Sequence, residues 1–131
     1  MKKILCTLSL LAAVAATSFA ATAFPDISLA DLKKAIAAKD VTIIDVNGPE
    51  SYQSGHIPGA IDYTVVKEDL AAKLPKDKNA LIVAYCGSPQ CGAYARAAQA
   101  AKDLGYTNVQ HYVGGIKGWK EAGEPTEAAK Q

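Results

Sequence analysis

The sequence predicts an α/β domain: a mainly parallel sheet of about five strands flanked by helices on both faces. Three observations predict it. Short apolar, largely β-branched runs (Val41-Thr42-Ile43-Ile44-Asp45-Val46, Ala80-Leu81-Ile82-Val83-Ala84-Tyr85 and Val109 to Val113) are bounded by turn residues. Stretches of helical periodicity separate them, which is the pattern of strand–helix–strand units with right-handed crossovers. Finally, the most continuous run stops at Cys86, and ligands of such sheets bind beyond the carboxyl ends of the strands.

Along the chain, Ser28-Leu29-Ala30-Asp31 resembles a capping box with Asp in place of Glu. Leu29, Leu32 and Ile36 recur at helical spacing, predicting a helix over 29–38. The strand over 41–46 is broken by Asn47-Gly48-Pro49. One helical turn is expected over 50–53, then a turn-rich loop over 54–60 and an edge strand over 61–65. Leu70 and Leu74 mark a helix over 67–74 that Pro75 stops. After the central strand and its loop, Ala93, Ala97, Ala101 and Leu104 form one helical stripe, with Gly105 as C-terminal cap. A last strand covers 109–113, and Gly114-Gly115 leads into a short helix around Trp119. The polar stretch 123–131 is expected to fray.

The first 23 residues read as a secretory signal peptide. A basic Met1-Lys2-Lys3 start precedes an apolar run from Ile4 to Ala16, with small-residue exits at Ser18-Phe19-Ala20 or Ala21-Thr22-Ala23. The run is too short and wrongly flanked for a lasting membrane anchor, and Cys6 lies at the wrong end of it for lipidation. Residues 24–131 are then a single domain. Its expected compartment is the periplasm, with secretion the alternative. Removing Lys2 and Lys3 leaves twelve basic residues against thirteen acidic ones. That balance predicts no nucleic-acid footprint and no polybasic membrane patch.

Cys86 and Cys91 remain in that domain. Between them runs Gly87-Ser88-Pro89-Gln90, and the helical pattern follows. This order sets Cys86 at a strand end whose loop leads into a helix amino terminus, where unpaired N–H groups and the helix dipole favour an anion. A thiolate is the reactive form of cysteine. Cys91 is open to three readings: exchange with Cys86, packing, or a structural disulfide. The spacing excludes a C-x5-R phosphatase or arsenate reductase, because position 92 is Gly92. It also departs from the C-x-x-C of thioredoxin-like exchangers. Two cysteines without a histidine pair supply too few ligands for zinc, so no metal site is expected; chemistry carried by Cys86 itself requires no cofactor.

Three separated segments resemble a rhodanese domain. The first is Asp45-Val46, Glu50 and Gly55-His56-Ile57-Pro58-Gly59-Ala60. The second is Tyr85-Cys86, its loop, and a helix with Ala97-Ala98. The third is Gly105-Tyr106, Asn108-Val109, then Gly114-Gly115 and Trp119. The resemblance runs from about 27 to 123. It implies a sulfurtransferase in which Cys86 accepts a sulfane sulfur as a persulfide and passes it to cyanide or a thiol. The donor would be thiosulfate, a polysulfide or another persulfide, and the protein a monomer. The backbone amides of Gly87, Ser88, Gln90, Cys91 and Gly92 could then cradle the charged sulfur as an oxyanion hole does. The chain departs from the family pattern at Asn47, where Arg is common. Its loop also carries no charged residue, although family loops often end in Arg or Lys.

Other features have plainer readings. Arg96, the only arginine, could reach an anion at the site mouth, but a solvated helix face fits it better. His56 is expected to bond backbone and fix its loop. Asp45 and Glu50 read as structural and Trp119 as core or pocket wall, while His111 belongs to no constellation. Two alternative functions stay open: a periplasmic thiol–disulfide or sulfur-relay protein using Cys86 and Cys91, and a non-catalytic rhodanese binding module.

Overall fold

The computed structural model describes residues 24–129; the signal-peptide reading and Cys6 lie outside the described residues. Four parallel strands form the sheet: β1 (Thr42–Asp45), β2 (Ile61–Asp62), β3 (Ile82–Tyr85) and β4 (Val109–His111), in the order β2-β1-β3-β4. A fifth position is only sketched. Residues 25–27 flank β4 in parallel, the His111 N–H donating to the Pro25 carbonyl and the Ile27 N–H to the His111 carbonyl, each at 2.9 Å.

Alternation along the strands supplies two cores. Ile44, Ile82 and Ala84 face α3 (Tyr63–Val66), α4 (Leu70–Lys73) and α5 (Tyr94–Asp103), meeting Val66, Leu70, Leu74 and the alanines of α5. Ile43, Val83 and Tyr85 face the other way, against Leu32 of α1 (Leu29–Ala38) and Ile116 and Trp119 of α6 (Gly115–Glu121). Ser28 caps α1: its Oγ accepts from the Asp31 N–H at 3.0 Å and donates to the Asp31 carboxylate at 2.8 Å. The expected turn over 50–53 is α2 (Pro49–Ser54), opened by the proline in its first turn.

Three expectations are corrected. The predicted strand over 61–65 ends at Asp62, whose carboxylate accepts from the Thr64 N–H (2.9 Å) and hydroxyl (2.6 Å). That cap starts α3 and leaves Val65 74% exposed. On α5 the buried face is Ala97, Ala98 and Ala101, while Ala93 is the N-cap and Leu104 lies at the surface. Small side chains let α5 approach the sheet closely. It ends in a Schellman turn, Gly105 (φ +95°) donating to the Lys102 carbonyl and Tyr106 to that of Ala101.

The third correction concerns the stretch expected to fray. Trp119 Nε1 donates to the Pro125 carbonyl (2.7 Å), Lys33 pairs with Glu124 (2.5 Å), and Glu127 forms an antiparallel bridge with His56. The chain is thereby tied down through residue 127.

Candidate active site

Parallel register brings β1 and β3 to a common carboxyl rim, with Asp45 beside Tyr85. Cys86 is the next residue of the β3 chain. Its position at a strand end, before the loop that enters α5, is the one expected from the sequence. The residue is buried there, 1% exposed. Cys86 and Cys91 are joined in a disulfide with Cα atoms 6.1 Å apart, within the range such bonds span. The loop therefore folds over the Cys86 sulfur, and Cys91, itself half-buried, forms the outer side of the pair.

In this disulfide state the amide cradle is incomplete. The Cys91 N–H is engaged, donating to the Ser88 carbonyl at 3.1 Å. The Cys91 carbonyl oxygen lies 3.3 Å from Cys86 Sγ, a neighbour that disfavours negative charge there. Among the described residues, the main-chain amides of Gly87, Ser88, Gln90 and Gly92 donate to no carbonyl of the chain. Pro89 has no N–H.

The base of the loop is latched from α6. The Ile116 N–H donates to the Cys86 carbonyl and the Lys117 N–H to that of Gly87, both at 3.0 Å. This approach requires glycine at 115. A Cβ there would sit 2.6 Å from the Cys86 carbonyl oxygen and 2.8 Å from the Gly87 carbonyl carbon, and φ is +62°. The Gly114-Gly115 pair, read from the sequence only as a turn, is thus part of the site. Asn47 is another part. Its Oδ1 would meet a Cβ on Gly87 at 3.3 Å, and its Nδ2 is buried without a partner.

Beside the loop lies a closed polar network. The Tyr85 hydroxyl donates to Asp45 Oδ2 (2.5 Å) and accepts from the Ile57 N–H (3.1 Å), while the Asn47 N–H donates to Asp45 Oδ1 (2.7 Å). Burial raises the pKa of Asp45, opposed by these hydrogen bonds, and burial together with the Asp45 charge pushes that of Tyr85 upward. The sequence marked Asp45 as structural, as found, but not its partner. The signal was present: a tyrosine ending one strand beside an acid ending its neighbour.

His56 fixes its loop as expected. Nδ1 donates to the Tyr52 carbonyl (2.8 Å), the ring stacks on Tyr52 at 3.7 Å, and Nε2 faces Glu127 at 3.8 Å. Glu50 is exposed in the first turn of α2. Arg96 is exposed on α5 and borders a cleft with Phe24, Tyr63, Gln99 and Asp103 that contains no residue of the 87–92 loop. His111 has a constellation the sequence did not reveal: its ring stacks on Tyr94 at 3.3 Å, and its Nδ1 lies 3.4 Å from Asp26. Among the described residues, no three His, Cys, Asp or Glu side chains gather as a metal site would require.

A parallel α/β sheet with a cysteine at its carboxyl rim, leading through a short loop into a helix, defines a class of cysteine-bearing α/β domains. The family is shown by comparison: a rhodanese-like domain profile matches residues 28–122, and the chain belongs to that family. An HTH-type transcriptional regulator of Mycobacterium tuberculosis is 36% identical over 116 residues, covering 88% of this chain; the chain spans 50% of the regulator's length. Thiosulfate sulfurtransferase PspE of Escherichia coli is 38% identical over 76 residues, 56% of this chain and 69% of that protein. Among solved structures, a human single-domain sulfurtransferase superposes with a TM-score of 0.59 at 27% identity, covering 74% of this chain and 96% of the other.

Proposed function

We propose that the protein is an exported, monomeric sulfurtransferase that carries sulfane sulfur as a persulfide on Cys86. The observation that carries this reading is the place of Cys86 in a rhodanese-like domain: it directly follows β3, its carbonyl is latched by α6, and the amides of Gly87, Ser88, Gln90 and Gly92 are left over. The disulfide is then a resting state. When an external dithiol reduces it and is itself oxidised to a disulfide, Cys91 Sγ leaves Cys86, the freed loop amides face the sulfur, and the Cys86 thiolate attacks a donor. One such amide contributes roughly 3 kcal/mol at comparable sites.

The donor is a sulfane-sulfur compound, and the acceptor a thiol or cyanide. Relatives named thiosulfate sulfurtransferase support the class of donor. The uncharged loop offers no cation to dianionic thiosulfate; each tenfold loss of rate corresponds to only about 1.4 kcal/mol, so one absent cation suffices to make thiosulfate a poor donor.

Thiocyanate formation from cyanide by the reduced protein tests the reading. Turnover is expected with at least one of thiosulfate, polysulfide or glutathione persulfide, and none in Cys86→Ser. Turnover that survives Cys86→Ser overturns it. Export is tested by fractionation and amino-terminal sequencing, with cleavage after Ala23 or Ala20 expected.

A second reading is favoured by the disulfide itself: a thiol–disulfide protein cycling Cys86 and Cys91 without carrying sulfur. Failure of every donor, together with reversible oxidation of the pair, is the result that reading predicts.

A further inference from the structure

We infer that Cys91 is a resolving nucleophile that converts the Cys86 persulfide into the disulfide and expels sulfide, making the protein a sulfane-sulfur reductase. The inference rests on the proposed persulfide. Its warrant is the bond between the two sulfurs: the loop places Cys91 Sγ in bonding contact with the atom that would carry the extra sulfur. A persulfide on Cys86 therefore forms beside a second thiol that can reach its inner sulfur without leaving the loop.

The step balances without an oxidant. The Cys91 thiolate attacks Cys86 Sγ, the bond between Cys86 Sγ and the outer sulfur breaks, and the outer sulfur departs as HS⁻. Two cysteine sulfurs are oxidised to a disulfide while one sulfane sulfur is reduced to sulfide. A further cycle needs an external dithiol to reduce the pair. Thiolate–disulfide exchange depends on access to the attacked sulfur and on how well the other sulfur leaves. Cys86 is buried and Cys91 half-buried, so the reductant attacks Cys91. Cys86 then departs as a thiolate into the freed amides and is ready for the next donor. The class of partner is thus a dithiol protein or small dithiol with a low reduction potential, which the oxidising compartment must supply specifically.

Two further details fit this cycle. The 87–90 stretch carries no charged side chain that would hold an anionic acceptor at the mouth, so an internal thiol is the better-placed acceptor. The latch from Ile116 and Lys117 grips the loop at the carbonyls of Cys86 and Gly87. No hydrogen bond from α6 reaches Cys91 among the described residues, so the latch holds the Cys86 end of the loop and not the Cys91 end.

The test uses the full domain, reduced, desalted and kept anaerobic, then mixed with thiosulfate or inorganic polysulfide without added thiol. Sulfide and intact mass are followed in wild type, Cys91→Ser and Cys91→Ala. Wild type is expected to release one equivalent of sulfide and to finish two hydrogens lighter than the dithiol. Both variants are expected to keep a stable added sulfur and release no sulfide above the protein-free control. Addition of a dithiol should restore repeated sulfide release in wild type. A wild type that holds its persulfide as the variants do overturns the inference but leaves the proposed sulfurtransferase intact. Equal sulfide release from the variants overturns it in the same way. If no form gains sulfur from either donor, the persulfide reading and this inference fall together.

Discussion

Asp45 and Cys86 stand at adjoining strand ends, and the fold secures them by opposite means. Asp45 is closed by hydrogen bonds: each carboxylate oxygen has a donor, and Tyr85 extends the network to the Ile57 N–H. Nothing in it can be undone without leaving a buried polar group unpaired. Cys86 is closed by one bond to Cys91, and thiols undo such bonds at ordinary temperatures. The rim is rigid at its strand ends and reversible at its loop. The network and the α6 latch hold the strand ends, while the loop between the cysteines is kept shut by a reversible clip.

The largest effect is expected from Gly115→Ala. The added Cβ meets backbone at 2.6 Å and the site needs φ +62°. Overpacking and left-handed strain together are expected to cost roughly 2–5 kcal/mol. Denaturant unfolding should show it, with the proposed sulfur transfer lost in parallel because the latch on Cys86 is displaced.

Tyr85→Phe comes next. It strips a donor from buried Asp45 and the acceptor from the Ile57 N–H, at a cost of about 2–4 kcal/mol. The same variant raises the Asp45 pKa further. A raised carboxylate pKa adds stability that is fully present below the unfolded value of 3.8 and is lost as pH rises through the folded value. The penalty of Tyr85→Phe should therefore be smaller in acid than at neutral pH.

Reduction of the disulfide should cost less, about 2 kcal/mol by the loop-closure estimate for so short a ring. The rest of the domain should stay folded in thiol, and unfolding midpoints with and without reductant check this. If reduction unfolds the domain, the clip is structural and the contrast with Asp45 disappears.

The smallest effect belongs to His111, whose pKa burial lowers, against the opposing pull of Asp26. The unfolded chain then binds more protons, so stability falls as pH drops below about 6.5 toward the folded value. His111→Gln should flatten that part of the stability–pH profile.

Much of this was legible before any coordinates. Ser28 and Gly105 marked the ends of α1 and α5 through their own chemistry, and β-branched runs marked β1 and β3. The place of Cys86 followed from order alone. Most of what escaped depends on side chains meeting across the sequence. The early end of β2 escaped for a local reason: Asp62, still a strand residue, caps the helix that starts at Tyr63, where the β-branched run predicted more strand. The tail was read as frayed because Glu127 finds its partner seventy-one residues away at His56. The role of Gly115 needs the approach of α6 to the loop, which no local pattern encodes. The bond from Cys86 to Cys91 escaped as well, because spacing left it open among three readings.

The most direct test is peptide-level mass spectrometry of the anaerobically reduced Cys91→Ser domain after exposure to thiosulfate or polysulfide. One added sulfur on the peptide carrying Cys86, absent from Cys86→Ser, is the predicted result. No added sulfur with any donor, or an equal gain in Cys86→Ser, would contradict it.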